Sequence, residues 1–147
     1  MFIQLLIGIS TVICASMIHA GIFWYALREE SLLVKWAEHR NNRWMSILTL
    51  STSILWVVFA HILITVLWCC VYMGIGMFAD LETTVYFVLV TFTTLGFGDI
   101  LAPVEWQLLS GITASNGLLA FGASTAFQVQ YFIKLRSVVS MNNRDIS

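Results

Sequence analysis

Residues 80–99 read Asp80-Leu-Glu-Thr-Thr-Val-Tyr-Phe-Val-Leu-Val-Thr-Phe-Thr-Thr-Leu-Gly-Phe-Gly-Asp99, and the fold turns on this stretch. Asp80 is placed to cap a helix that begins near Leu81, and Glu82 suits the positive end of its first turn. A helix over 81–93 extends about 20 Å, roughly two-thirds of the hydrocarbon core of a bilayer. It is too short to span. The residues after it, Thr94-Leu95-Gly96-Phe97-Gly98, alternate glycine with side-chain residues. Glycine reaches left-handed backbone angles freely, so consecutive carbonyls of such a strand can turn the same way.

The surroundings of this stretch are those of a membrane protein. The chain of 147 residues is 59% hydrophobic and 10% charged, against about 25% charged in a soluble domain. Its apolar residues come in long blocks rather than short alternating runs. Spanning takes roughly 20 apolar residues in helix, and three blocks suffice: 1–27, 44–74 and 104–135, the third more polar than the others. No basic residue precedes the first block and no small-residue cleavage site follows it, so a removable signal peptide is not expected. Segment 28–43 is polar, with Leu32, Leu33, Trp36 and Ala37 at helical spacing. Two readings of it stand equal, an amphipathic helix in the membrane interface or a solvated connecting turn. The tail 136–147 is short and polar and is expected to fray. Cys14, Cys69 and Cys70 lie inside apolar stretches and read as packing or lipid-facing residues. No basic cluster with interleaved aromatics suggests nucleic acid.

Charge placement sets the expected orientation. All seven basic residues fall in two places: Arg28, Lys35, Arg40 and Arg43, then Lys134, Arg136 and Arg144. The positive-inside rule puts both in the cytoplasm, with the amino terminus outside. The segment from Asp80 to Pro103 then faces the exterior of the cell membrane. Asp80, Glu82, Asp99 and Glu105 give that side an acidic mouth, which raises the local cation concentration. Trp24, Trp36 and Trp44 flank the expected cytoplasmic interface and Trp106 the outer one.

Irregular backbone at membrane depth is tolerated only where protein buries it or it lines a watery cavity. A half-membrane helix entering from outside would point its partially negative carboxyl end at a cation held there. The strand over 94–98 would then line a narrow axis with carbonyl oxygens able to replace the water shell of a dehydrated ion. Thr93-Thr94-Leu95-Gly96-Phe97-Gly98-Asp99 resembles the selectivity filter of potassium channels, whose usual form is TVGYG. The resemblance covers roughly 44–135 and is to the two-helix pore module of small prokaryotic channels, with an extra amino-terminal helix. It implies an all-α membrane protein: a peripheral helix 1–27, an outer helix 44–74, a re-entrant pore helix 81–93, a filter 94–98 and an inner helix 104–135.

The resemblance further implies K+ bound at Thr94, Leu95, Gly96 and Phe97, no cofactor beyond the permeant ion, and a homotetramer in the lipid bilayer. One pore loop per chain supplies one quarter of a filter. Thr93, Asp99, Tyr86 and Val90 are the expected supports. Leu95 stands where valine or isoleucine is usual, and Phe97 replaces tyrosine, so no hydroxyl braces the strand from behind. Val90 stands where some members carry a glutamate that pairs with the filter aspartate; Tyr86 is the candidate partner of Asp99 here. In the inner helix, Gly117 reads equally as a gating hinge or a packing residue, while packing is expected of Gly111 and Gly122. Gly117, Leu118, Phe121 and Thr125 are the cavity and gate candidates, with Val129 in the same register and Asn116 the alternative water-facing residue. His19 and His61 lie inside spanning blocks. A neutral histidine bonded between helices is the simpler reading, and a proton sensor the sharper one.

No catalytic triad, metal-ligand cluster or phosphate loop appears, and no helix carries arginine at every third position, so neither an enzyme nor a voltage sensor is expected. The expected function is passive potassium conduction. A weakly selective cation channel, a subunit of an uptake transporter and a non-conducting pore-like interaction protein are its rivals.

Overall fold

The computed structural model describes residues 1–40 and 43–144, with side chains over 1–28 and 47–133 and at Leu135 and Arg136. Its elements are α1 (Phe2–Arg40), α2 (Arg43–Gly74), α3 (Leu81–Phe92), a 3-10 turn (Val104–Trp106) and α4 (Gln107–Arg144). Helix α1 does not stop at residue 27. It continues to Arg40, because the polar stretch contains no glycine or proline and is rich in glutamate, leucine and arginine, which are strong helix formers. Over 28–40 the backbone is therefore helical rather than a solvated turn, and residues 41 and 42 of that segment lie outside the described residues. The apolar face proposed for it, Leu32, Leu33, Trp36 and Ala37, lies outside the described side chains, as does Trp44. Likewise α4 continues past 135 to Arg144.

Among the described residues, two helical segments are long and apolar enough to cross a membrane, Phe2–Arg28 and Ile47–Gly74. Only 22% of an 18-residue apolar stretch of each is buried, unlike the core helix of a soluble protein. Leu6, Ile13, Leu55 and Ile62 are more than half exposed on them and need an apolar solvent. The third expected span, in α4, is not apolar enough to join them. Ser110, Thr113, Ser115, Asn116, Ser124, Thr125, Gln128 and Gln130 interrupt it.

The chain forms two compact units. The first comprises Met1–His19 and Ala60–Gly122. Its core gathers Ala15, Trp68, Tyr72, Phe87, Val88, Phe92 and Leu109. Thr84, Phe87, Val88 and Phe92 recur at helical spacing and form the buried face of α3. In a bilayer lipid tails compete with such contacts, so close packing and hydrogen bonds hold helices together. The buried bond between the Tyr72 and Thr113 hydroxyls, 2.6 Å, joins α2 to α4 on those terms. The second unit comprises Ala20–Phe59 and Ala123–Ser147. In it Phe23 stacks on Phe127 at 4.3 Å between ring centroids, and the buried Tyr131 hydroxyl donates to the Thr49 carbonyl at 2.9 Å.

Candidate functional site

Helix α3 is specified locally at both ends. Asp80 takes extended backbone angles (φ -129°, ψ 154°) and its carboxylate accepts the Thr83 N–H at 2.7 Å, satisfying one of the four amides a helix start leaves open. That bond holds the Asp80 carboxyl below its ordinary range. At the other end the orphan carbonyls are taken up by the residues that follow. Thr93 N–H donates to Leu89, Thr94 N–H to Thr91, and both Leu95 and Gly96 N–H to Val90, at 3.0–3.3 Å. The Thr93 hydroxyl also reaches the Leu89 carbonyl at 2.6 Å. Val90 thus supports the strand through its backbone oxygen, whatever its side chain.

With the amides of 93–96 tied back into α3, the strand that follows alternates in its dihedral angles. Thr94, Gly96 and Gly98 have φ of 61°, 57° and 78°, and Thr94 is alone among described non-glycine residues with positive φ. Left-handed angles therefore occur at every second residue, alternating with negative φ at Leu95 and Phe97. In such an alternation N–H groups face one way and carbonyls the other. A β-branched residue at positive φ costs on the order of 1–3 kcal/mol and persists only where its surroundings impose it. Among the described residues, no donor engages the carbonyls of Thr94, Leu95, Gly96, Phe97 or Gly98. A run of carbonyl oxygens without donors at the negative end of a helix is chemistry for a cation.

Behind the strand, Tyr86 donates its hydroxyl to the Asp99 carboxylate at 2.5 Å. Asp99 is exposed, and its carboxyl is held below the ordinary range chiefly by that bond, with the Asp99 and Ile100 N–H groups adding to it. A lowered carboxyl contributes stability that is present above its ordinary pKa and lost as pH falls through the lowered one. Tyr86→Phe is therefore expected to let Asp99 titrate at higher pH and to lose that contribution. The variant is then less stable than wild type above the ordinary carboxyl pKa, and the difference vanishes as pH falls through the lowered one. Unfolding midpoints of the two proteins across acidic pH check this, and coincident curves would exclude the support role. Leu95 and Phe97 stand 61% and 67% exposed. A groove of about 270 Å3 opens between α3, Gly96, Gly98, Leu101 and the first turns of α4.

Helix α4 meets the end of α3 at Gly117. A Cβ there would overlap the Phe92 carbonyl oxygen and lie 2.7 Å from its carbon, so close approach of two backbones accounts for this glycine. At Gly111 and Gly122 an added Cβ would meet nothing within 4 Å; the packing expected of them is not made among the described residues. Leu118, Phe121, Thr125 and Val129 are exposed, whereas Asn116 is buried and does not face out. His19 and His61 meet edge-on at 5.7 Å. The His61 ring lies 4.5 Å from that of Phe121 and 6.0 Å from that of Phe92.

One participant escapes sequence reasoning. Gln4, at the far end of the chain, donates through Nε2 to the Glu105 carbonyl and accepts the Leu109 N–H at 3.2 Å. An isolated amide side chain in an apolar block is the one signal the sequence offers, and it does not identify the partners.

No curated protein and no solved structure matches the chain. A family model described as "Ion channel" matches residues 51–134, more than half of the sequence, from within α2 through α3 and the 94–98 strand into α4. The two apolar helices and the 94–98 strand with its alternating φ lie in a chain that belongs to the ion channel family.

Proposed function

We propose that four copies of this chain form a potassium-selective pore in the cell membrane. K+ would be dehydrated and passed in single file between rings of carbonyl oxygens from Thr94, Leu95, Gly96 and Phe97, with the Thr94 hydroxyl at the inner end. The observation that carries this reading is the alternation of positive φ at Thr94, Gly96 and Gly98, with the adjoining amides bound into the end of α3. Apart from that hydroxyl, backbone oxygens do the coordinating, so Leu95 and Phe97 leave the ion sites intact. Their exposure in the single chain suits residues that neighbouring copies cover.

In this reading α1, α2 and α4 all span. The polarity of α4 is that of a helix with one side toward water, and Leu118, Phe121 and Thr125 line the cavity. No lysine or arginine occurs between Arg43 and Lys134. Asp80, Glu82, Asp99 and Glu105 therefore give an uncompensated acidic mouth outside, with the carboxyl terminus in the cytoplasm.

A weakly selective monovalent cation channel is the second reading, favoured by Phe97, which has no hydroxyl with which to brace the strand. Purified protein in liposomes is expected to pass K+, with block by Ba2+ and a reversal potential that strongly favours K+ over Na+ under bi-ionic conditions. A reversal potential near zero would establish the second reading. Stable tetramers without flux of either ion would overturn both and leave a non-conducting interaction protein.

A further inference from the structure

In α1, Gln4, Gly8, Thr11, Ala15 and His19 follow one another at intervals of four, three, four and four residues, and all are buried. That is the spacing of a continuous helix-packing seam. Its residues are small or polar, the kind that lets helices approach closely in a bilayer. A Cβ on Gly8 would lie 2.6 Å from Ile112 Cδ1 and 3.3 Å from Leu109 Cδ1, so α1 rests directly on the first turns of α4. Gln4 sits at the outer end of this seam, only 9% exposed.

Both ends of the Gln4 amide are engaged, and both partners belong to the connection between the 94–98 strand and α4. Its Nε2 donates to the carbonyl of Glu105, within the 3-10 turn. Its Oε1 accepts the N–H of Leu109, one of the first-turn amides of α4 that have no acceptor within the helix. No side chain caps the preceding turn. Gln4 therefore does for α4 what Asp80 does for α3, but from another helix. We infer that Gln4 is a positioning residue for the ion path: it ties the turn that leaves the strand to α1, and so holds the outer carbonyls in register. This rests on the conduction reading above. It also assigns the amino-terminal helix a task, rather than peripheral packing alone.

The test compares wild type, Gln4→Leu and Gln4→Glu in liposomes, with exposed Ser10→Ala as the control in the same helix. Gln4→Leu keeps the volume and removes both bonds. It is expected to lower K+ flux by at least about tenfold, the change that goes with loss of even one buried hydrogen bond, and to raise Leu109 amide hydrogen exchange by a similar factor. A protonated glutamate can still donate to Glu105 and accept from Leu109, whereas an ionised one cannot donate. Gln4→Glu is therefore expected to match wild type at acidic pH and to fall toward Gln4→Leu as pH rises, a profile absent from wild type measured alongside. Flux and Leu109 exchange unchanged in Gln4→Leu would overturn the inference. Should Gln4→Leu fail to assemble, a flat profile for Gln4→Glu would do so. If wild type passes no cation, the conduction reading falls, and Leu109 exchange alone decides whether Gln4 holds the turn.

Discussion

Gly96→Val is expected to abolish K+ flux while the protein still folds and assembles. Gly96 has φ of 57°, and nothing in the chain lies within 4 Å of an added Cβ. Space is therefore not the constraint; conformation is. A β-branched residue held at left-handed angles costs about 1–2 kcal/mol, a modest loss beside the several kcal/mol by which domains are usually stable. Valine relieves this strain by returning to negative φ, and the return swings the neighbouring peptide planes. The carbonyls of Leu95 and Gly96 then no longer face the same side as those of Thr94 and Phe97. With four copies around one axis, the defect is repeated in every ring. Flux from liposomes together with size-exclusion chromatography separates the two effects. A variant that assembles and conducts like wild type would show that the ion path lies elsewhere.

What is legible in the sequence depends on the range of the interactions. Helix α3 is specified by neighbours: Asp80 three residues before the Thr83 amide it caps, and an apolar face at 84, 87, 88 and 92. The strand after it is legible because glycine at 96 and 98 has a conformational reason to be there. Thr94 at φ 61° has no such signature, since threonine is ordinarily a poor occupant of that region. The ends of α1 and α4 mislead for the opposite reason. Polar composition suggests a break at 28 and at 136, but neither stretch contains glycine or proline to end the helix; at 28–40 strong helix formers continue it whatever their polarity. The Gln4 contacts bridge separations of 101 and 105 residues. Periodicity within a helix identifies a buried face, not the partner that buries it. Asn116 is a case in point: its polarity suggests water, yet it is 4% exposed, with its Nδ2 lacking a hydrogen-bond partner among the described residues.

The glycines of α4 yield the second large effect, because the three of them are alike in sequence and unlike in surroundings. Alanine in place of a helical glycine is worth up to about 1 kcal/mol through propensity alone. At Gly111 and Gly122, where a Cβ meets nothing in the chain, Gly→Ala is expected to be neutral or stabilising by that amount. At Gly117 the same methyl group collides with the Phe92 backbone, which has no rotamer with which to move aside. Overpacking of this kind costs typically about 1–3 kcal/mol, or more where backbone must shift. The net effect of Gly117→Ala is expected to be destabilisation by about 1–2 kcal/mol, lowering Tm in detergent by roughly 5 °C. Flux should fall with it, since Phe92 is displaced only two residues before Thr94. A hinge at Gly117 makes the contrary forecast: Gly117→Ala would raise Tm as the other two do, and change only how often the pore opens. A loss of stability at Gly111 or Gly122 confined to the assembled protein would instead put those glycines against a neighbouring copy. Unfolding curves of the three alanine variants, each measured in parallel with flux, thus test the backbone contact at Gly117 against a gate.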